Sequence, residues 1–160
     1  MKGAMALVAG VLLACSGFLL AVLWMDLIID SQAGRPVRRG EQLHETTLAA
    51  IAGYYHRATT TSQPMGRLIA AVMVVLLGAL VLEAVVQTSP GWLLTCSAVL
   101  AGGPILLAAL RTVPNAVRLG RRADSPAEQT RLARAIYRDH IVCLIGIATF
   151  LVLWLVHLAG

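Results

Sequence analysis

Charge is what this sequence has least of. Acidic and basic side chains make up 13% of its 160 residues, about half the share of an ordinary soluble domain, which is too little polar surface to cover a water-facing globule. Aromatic residues reach only 5%. The basic pI of about 9.7 therefore comes without the aromatic-studded soluble surface that nucleic-acid readers use, and no nucleic-acid partner is expected. Cysteines are few: Cys15, Cys96 and Cys143 fall at three different depths of the apolar runs. A disulfide relay wants paired thiols, so these read as three buried apolar ones. Histidine is scarce too. The four present are too few for the membrane hydroxylases that use many histidine ligands. A haem held by two spans is not expected, because His140 and His157, at membrane level, both fall on the last apolar run.

What the sequence has is apolar length. Hydrophobic residues are 58% of the chain and the mean hydropathy is +0.78. A helix needs about 20 mostly apolar residues to span a bilayer, and four stretches meet that need. The expected fold is all-α, an integral membrane four-helix bundle with spans at about 4-29, 66-87, 91-112 and 140-158. Residues 1-160 form a single four-span membrane domain, with no room for a separate soluble one. The opening "MKGAMALVAGVLLACSG" has features of a signal peptide, but its apolar run continues through "FLLAVLWM" for a full span, longer than a cleavable core. It is read as a retained first helix.

Arginine sets the orientation. Arg35, Arg38, Arg39, Arg57 and Arg67 lie between the first two spans or at the entrance to the second, and the other seven arginines lie between the last two. Only Lys2 falls on the opposite side. The positive-inside rule then puts both termini outside and both arginine-rich loops in the cytoplasm, in a membrane of the bacterial inner type.

Along the chain, Gly10, Ala14, Gly17 and Ala21 line one face of the first span with residues small enough for another helix to approach closely. Asp26 and Asp30 mark its exit. Residues 41-58 place His44, Leu48, Ile51 and Tyr55 on one stripe, an amphipathic helix on the cytoplasmic surface or folded against the end of the bundle. Glu83 lies 16 residues past Arg67, about 24 Å along a helix axis, so it reaches the outer edge of the hydrocarbon. His157 reaches a similar level, and the two either pair there or each find water. In the third span Gly102, Gly103 and Pro104 together predict a kink. Pro114 is expected to stop that helix before a basic surface segment. Ser125, Pro126 and Glu128 form a helix start of the capping-box type, leading without a break into the fourth span.

Chemistry has few footholds. Asp26, Asp30, Glu41, His44, Glu45, Tyr54, Tyr55, His56, Arg138, Asp139 and His140 collect at the cytoplasmic end. Glu41 and His44 have the i, i+3 spacing of half a di-iron site, but only one such pair exists and two are needed with further glutamates. A mononuclear set from His44, His56, His140 and Asp26 is geometrically open. The default for all these groups is solvated or salt-bridged, and no metal or cofactor is expected. The centres of the spans carry no ionisable group, which argues against a proton-coupled transporter.

"RTVPNAVRLG" after the third span and "RLARAIYRDH" before the fourth resemble the anthrone-oxygenase-like four-helix membrane family, formerly a domain of unknown function. The similarity covers about residues 104-158 and rests on Pro114, Asn115, Leu119, Arg134 and His140; the first two spans show no match. It implies a cofactor-independent or otherwise poorly defined oxygenase acting on a lipophilic polycyclic substrate, with Asn115 and His140 near the site.

Three functions follow as expectations. The first is an accessory or scaffold subunit that packs against other membrane subunits or itself through the small-residue face. The second is a membrane enzyme on a lipophilic substrate, with catalytic candidates Asp26, His44, His140 and Asn115. The third is a surface that binds anionic phospholipids through Arg111, Arg118, Arg121 and Arg122, each worth about 1 kcal/mol beside an anionic leaflet.

Overall fold

The computed structural model describes residues 2–34, 42–86 and 89–160. Arg35, Arg38, Arg39 and Glu41 lie outside the described residues, and with them half of the Glu41–His44 spacing. The described chain is all-helical, and four of its helices are long and apolar enough to cross a membrane.

Helix α1 is Lys2–Asp30, α2 is Glu45–Thr59 and α3 is Gln63–Val86. Helix α4 is the apolar run Gly91–Gly120, and α5 is Pro126–Ala159. Two helix starts have a local cause. His44 caps α2 by accepting from the Thr46 amide at 3.4 Å, and Ser125 caps α5 by accepting from the Glu128 amide at 3.4 Å. Pro126 follows in the first turn of α5, where its missing N–H costs nothing. At 34 residues α5 is about 51 Å long, well beyond the about 30 Å of a hydrocarbon layer. It is thus longer than a single crossing requires.

Pro114 does not stop α4; the helix runs on to Gly120. Two wide π-helical turns, Ala98–Gly102 and Ala108–Thr112, each end two residues before a proline, Pro104 and Pro114. A proline removes one amide donor and presses its ring on the carbonyl four residues back. Widening the preceding turn relieves that clash while the remaining carbonyls find later donors, so the chain passes both prolines as a helix.

Packing follows one stripe on each long helix. On α5, Ile136, His140, Cys143, Ile147, Phe150 and Trp154 are buried at alternating steps of four and three, the spacing of helices that wind about each other. On α1, Leu12, Ser16, Leu19, Leu23, Asp26 and Asp30 follow the same rhythm, and α1 packs along both α5 and α3. Gly146 lets α5 meet α4 at close range: a Cβ there would come within 2.7 Å of the Pro104 ring and 3.0 Å of the Leu100 carbonyl.

Two apolar cores result. One joins Leu12, Leu76, Leu93, Ile147, Phe150 and Trp154 among the apolar helices. Trp154 Nε1 donates to Ser97 Oγ at 2.9 Å within it. The other, at the arginine-bearing end, joins Leu48, Ile51, Ala52 and Tyr55 of α2 to Leu119 of α4 and Leu132 and Ile136 of α5. There the backbones of α2 and α4 touch at Gly120, whose absent Cβ would lie 2.8 Å from the His56 nitrogen.

Candidate functional site

Between the two cores lies a layer of buried polar side chains. Asp30 is fully buried, and its Oδ2 accepts from His140 Nδ1 at 2.6 Å. Its other oxygen accepts from Tyr55 Oη at 2.7 Å. Asp26, one turn back on α1, accepts from Tyr54 Oη at 2.5 Å and sets its Oδ2 3.9 Å from His140 Nε2. The residue after α1, Ser31, begins a turn that ends at Gly34, where a Cβ would run into the Tyr137 ring. Three helices, α1, α2 and α5, thus converge on one imidazole.

The arrangement has a defined chemistry. A carboxylate can only accept, so the proton on His140 sits on Nδ1 in the neutral ring, and Nε2 is left with a lone pair. Nε2 can take a proton, and Asp26 is placed to stabilise the imidazolium that forms. This is the orientation logic of a histidine base backed by an aspartate. The tyrosines on α2 stay protonated: burial first, then the hydrogen bonds to and the negative charge of Asp26 and Asp30, raise both hydroxyls well above the ordinary tyrosine range. They act as donors to the two carboxylates, and their rings meet edge-on at 5.2 Å. A second polar group lies on the neighbouring α5 residue. Asp139 receives Arg111 Nε at 3.2 Å, and Thr112 Oγ1 lies 3.5 Å away.

The structure brings together part of the expected set. Asp26, Asp30, Tyr54, Tyr55 and His140 converge; the aspartates expected as exit markers are buried partners instead. His44 does not join them: it is exposed at the start of α2, with Nδ1 2.9 Å from Thr46 Oγ1. His56 lies on a surface groove. The mononuclear set of His44, His56, His140 and Asp26 is therefore dispersed, and no metal-ligand group of three His, Cys, Asp or Glu forms among the described residues. Asn115 is half-buried on α4, and no hydrogen bond joins it to the cluster among the described residues.

Elsewhere, the small-residue face of α1 turns outward. Gly10, Ala14, Gly17 and Ala21 are all exposed, and a Cβ on Gly10 or Gly17 would meet nothing within 4 Å. The seam that α1 uses within this chain is the opposite one, because Leu12 and Leu19 offer more contact surface. Glu83 is 6% exposed and accepts from Ser89 Oγ at 2.6 Å in the turn before α4, so it does not simply reach water. His157 stands edge-on to Trp154 at 6.0 Å. Of the four arginines expected at lipid headgroups, three have carboxylates of their own: Arg111 with Asp139, Arg118 with Asp124 and Glu128, and Arg122 with Glu45. The Arg111–Asp139 link was not foreseen from the sequence. Its signal was the adjacency of Asp139 to His140 on a buried stripe.

No known protein family, curated protein or solved structure matches this chain.

Proposed function

We propose that the chain is a four-helix transmembrane bundle of the bacterial inner membrane type, working as an accessory subunit that joins another membrane helix through the outward face of α1. The termini lie outside and the arginine-bearing end in the cytoplasm, by the positive-inside rule. Helix α2 serves as an amphipathic cytoplasmic brace against the ends of α1, α4 and α5. One observation carries the reading: four small residues in a row, Gly10, Ala14, Gly17 and Ala21, face away from the chain with open space above the two glycines. Lipid-facing helices gain nothing from small residues, whereas helix pairs gain close backbone approach. The test is the intact mass of the protein gently extracted from its native membrane, beside a Gly10→Leu, Gly17→Leu double variant. A second polypeptide or a fixed multiple of the chain in the wild type, lost in the variant, is expected. A wild-type chain that is always alone defeats the reading.

A second reading rests on a different observation, the His140–Asp30 pair with its free Nε2 beside Asp26. Ionisable groups buried within membrane helices are rare and often mark a functional site. This reading makes the layer an acid–base site for a lipophilic substrate, the activity that the anthrone-oxygenase resemblance implies, with His140 as base. In the same experiment it expects a lone chain carrying a lipophilic small molecule, which His140→Ala releases and Gly10→Leu does not.

A further inference from the structure

We propose that the groove between the ends of α2 and α4 binds the phosphate group of an anionic ligand, with Arg121 as its charge partner and His56 as a second donor. The groove has a volume of about 440 Å³ and is lined by His56, Thr59, Thr60, Val117, Gly120 and Arg121. Its cation is unspent. Arg111, Arg118 and Arg122 are each matched by a carboxylate within 3.2 Å, whereas Arg121 makes no ion pair among the described residues. A planar guanidinium in a groove that an imidazole also lines suits a phosphate, whose oxygens accept two parallel N–H bonds.

The α2 wall weakens the usual objection to such a site. Helix C-termini carry partial negative charge from unpaired carbonyls and disfavour anions. At the end of α2 the Tyr55, His56 and Arg57 carbonyls are already engaged. Thr59 Oγ1 donates to the Tyr55 carbonyl at 2.8 Å, Thr60 Oγ1 to that of His56 at 2.5 Å and Thr61 Oγ1 to that of Arg57 at 3.2 Å. The Thr60, Thr61 and Ser62 amides bond the His56 and Arg57 carbonyls as well. Helices α2 and α4 meet backbone to backbone at Gly120, which keeps His56 and Arg121 in the lining of one groove.

Arg121 lies ten residues past Arg111, about 15 Å farther along the helix. A phosphate there comes from a lipid headgroup or from a soluble ester, and the experiment separates the two. The full chain is placed in nanodiscs of zwitterionic phosphatidylcholine and titrated with inorganic phosphate; a second preparation contains added phosphatidylglycerol. The His56 ring resonances are followed in both. A saturable shift is expected in at least one arm: with free phosphate it assigns a soluble ligand, and with phosphatidylglycerol alone it assigns the headgroup. Arg121→Gln weakens the response at least tenfold, Arg121→Lys restores part of it, and Arg131→Gln, which removes one of the two arginine partners of Glu128, leaves it intact. Silence in both arms, binding that survives Arg121→Gln, or an equal loss in Arg131→Gln overturns the proposal.

Discussion

The two cores of this protein share helices α4 and α5 yet differ in the surface around them. Around Leu12, Leu76, Phe150 and Trp154 the outer surface is Leu7, Val74, Val85, Leu110 and Val152, all exposed and all apolar. Around Leu48, Ile51, Leu119 and Ile136 it is arginines with their carboxylates. Against acyl chains, burying a leucine gains no transfer energy, so close approach and buried hydrogen bonds must hold the helices. Gly146 against Pro104 and the Trp154–Ser97 bond are devices of that kind. Where water is the solvent, each buried leucine or isoleucine contributes about 1.5–3 kcal/mol. In a bilayer, one seam would be stabilised by two different forces along its length, with the Asp30–His140 layer between the two cores.

The strongest way to break that division is to open the layer itself. Asp30→Ala leaves the His140 imidazole and the Tyr55 hydroxyl buried without their acceptor, at a cost of about 3–5 kcal/mol for the orphaned partners. Unfolding in mixed micelles, followed by circular dichroism, measures it. A loss under about 1 kcal/mol would show that the layer does not tie α1, α2 and α5 together.

A matched pair of core truncations separates transfer from packing. Ile51→Ala in the arginine-end core loses both the transfer and the cavity contributions, about 2–5 kcal/mol. Leu12→Ala in the other core loses packing without transfer, so its cost is expected to be smaller by about 1 kcal/mol or more. Equal costs in the same assay would mean that both cores answer to the same solvent.

Much of this was legible in the sequence, and the gaps have physical reasons. Four apolar runs announced themselves by length, and Ser125-Pro126 announced the start of α5. Pro114 misled because a proline ends a helix only when the turn before it cannot widen, and sequence spacing does not show a π-helical turn. The case of α1 is subtler. It carries two stripes with the same alternation of four and three: Gly10, Ala14, Gly17, Ala21, and Leu12, Ser16, Leu19, Leu23, Asp26, Asp30. Periodicity alone cannot say which one turns inward. The second runs straight through both aspartates, a sign that they are partners in packing rather than markers of an exit. What they pair with, His140 across 110 positions of chain, no local pattern could supply.

Alkaline pH tests the tyrosines that close the layer from the α2 side. Their hydroxyls are held above the ordinary value of about 10 by burial and by Asp26 and Asp30. In the unfolded chain they ionise near that ordinary value, while the folded chain keeps its protons. The unfolded state therefore binds fewer protons above about pH 10, and stability falls as pH rises from there toward the folded values. Below about pH 10 the contribution is fully present and flat. Thermal unfolding at pH 9 and pH 11 should show the drop, and Tyr55→Phe should reduce it. An undiminished drop in that variant would place its cause elsewhere.

The smallest effect expected is also the one that joins the fold to the function. Gly17→Ala adds a methyl where nothing lies within 4 Å, and alanine is the better helix former by about 1 kcal/mol in water. For the lone chain the change should therefore be neutral or slightly stabilising, unlike the same change at Gly146, which meets Pro104. The two substitutions differ only in what lies opposite. A loss of about 1 kcal/mol or more at Gly17 in protein taken from its native membrane, absent when the chain is purified alone, would mean that something sits on that face in the membrane. A neutral result in both preparations would leave lipid as its neighbour, and the accessory reading would lose the surface it depends on.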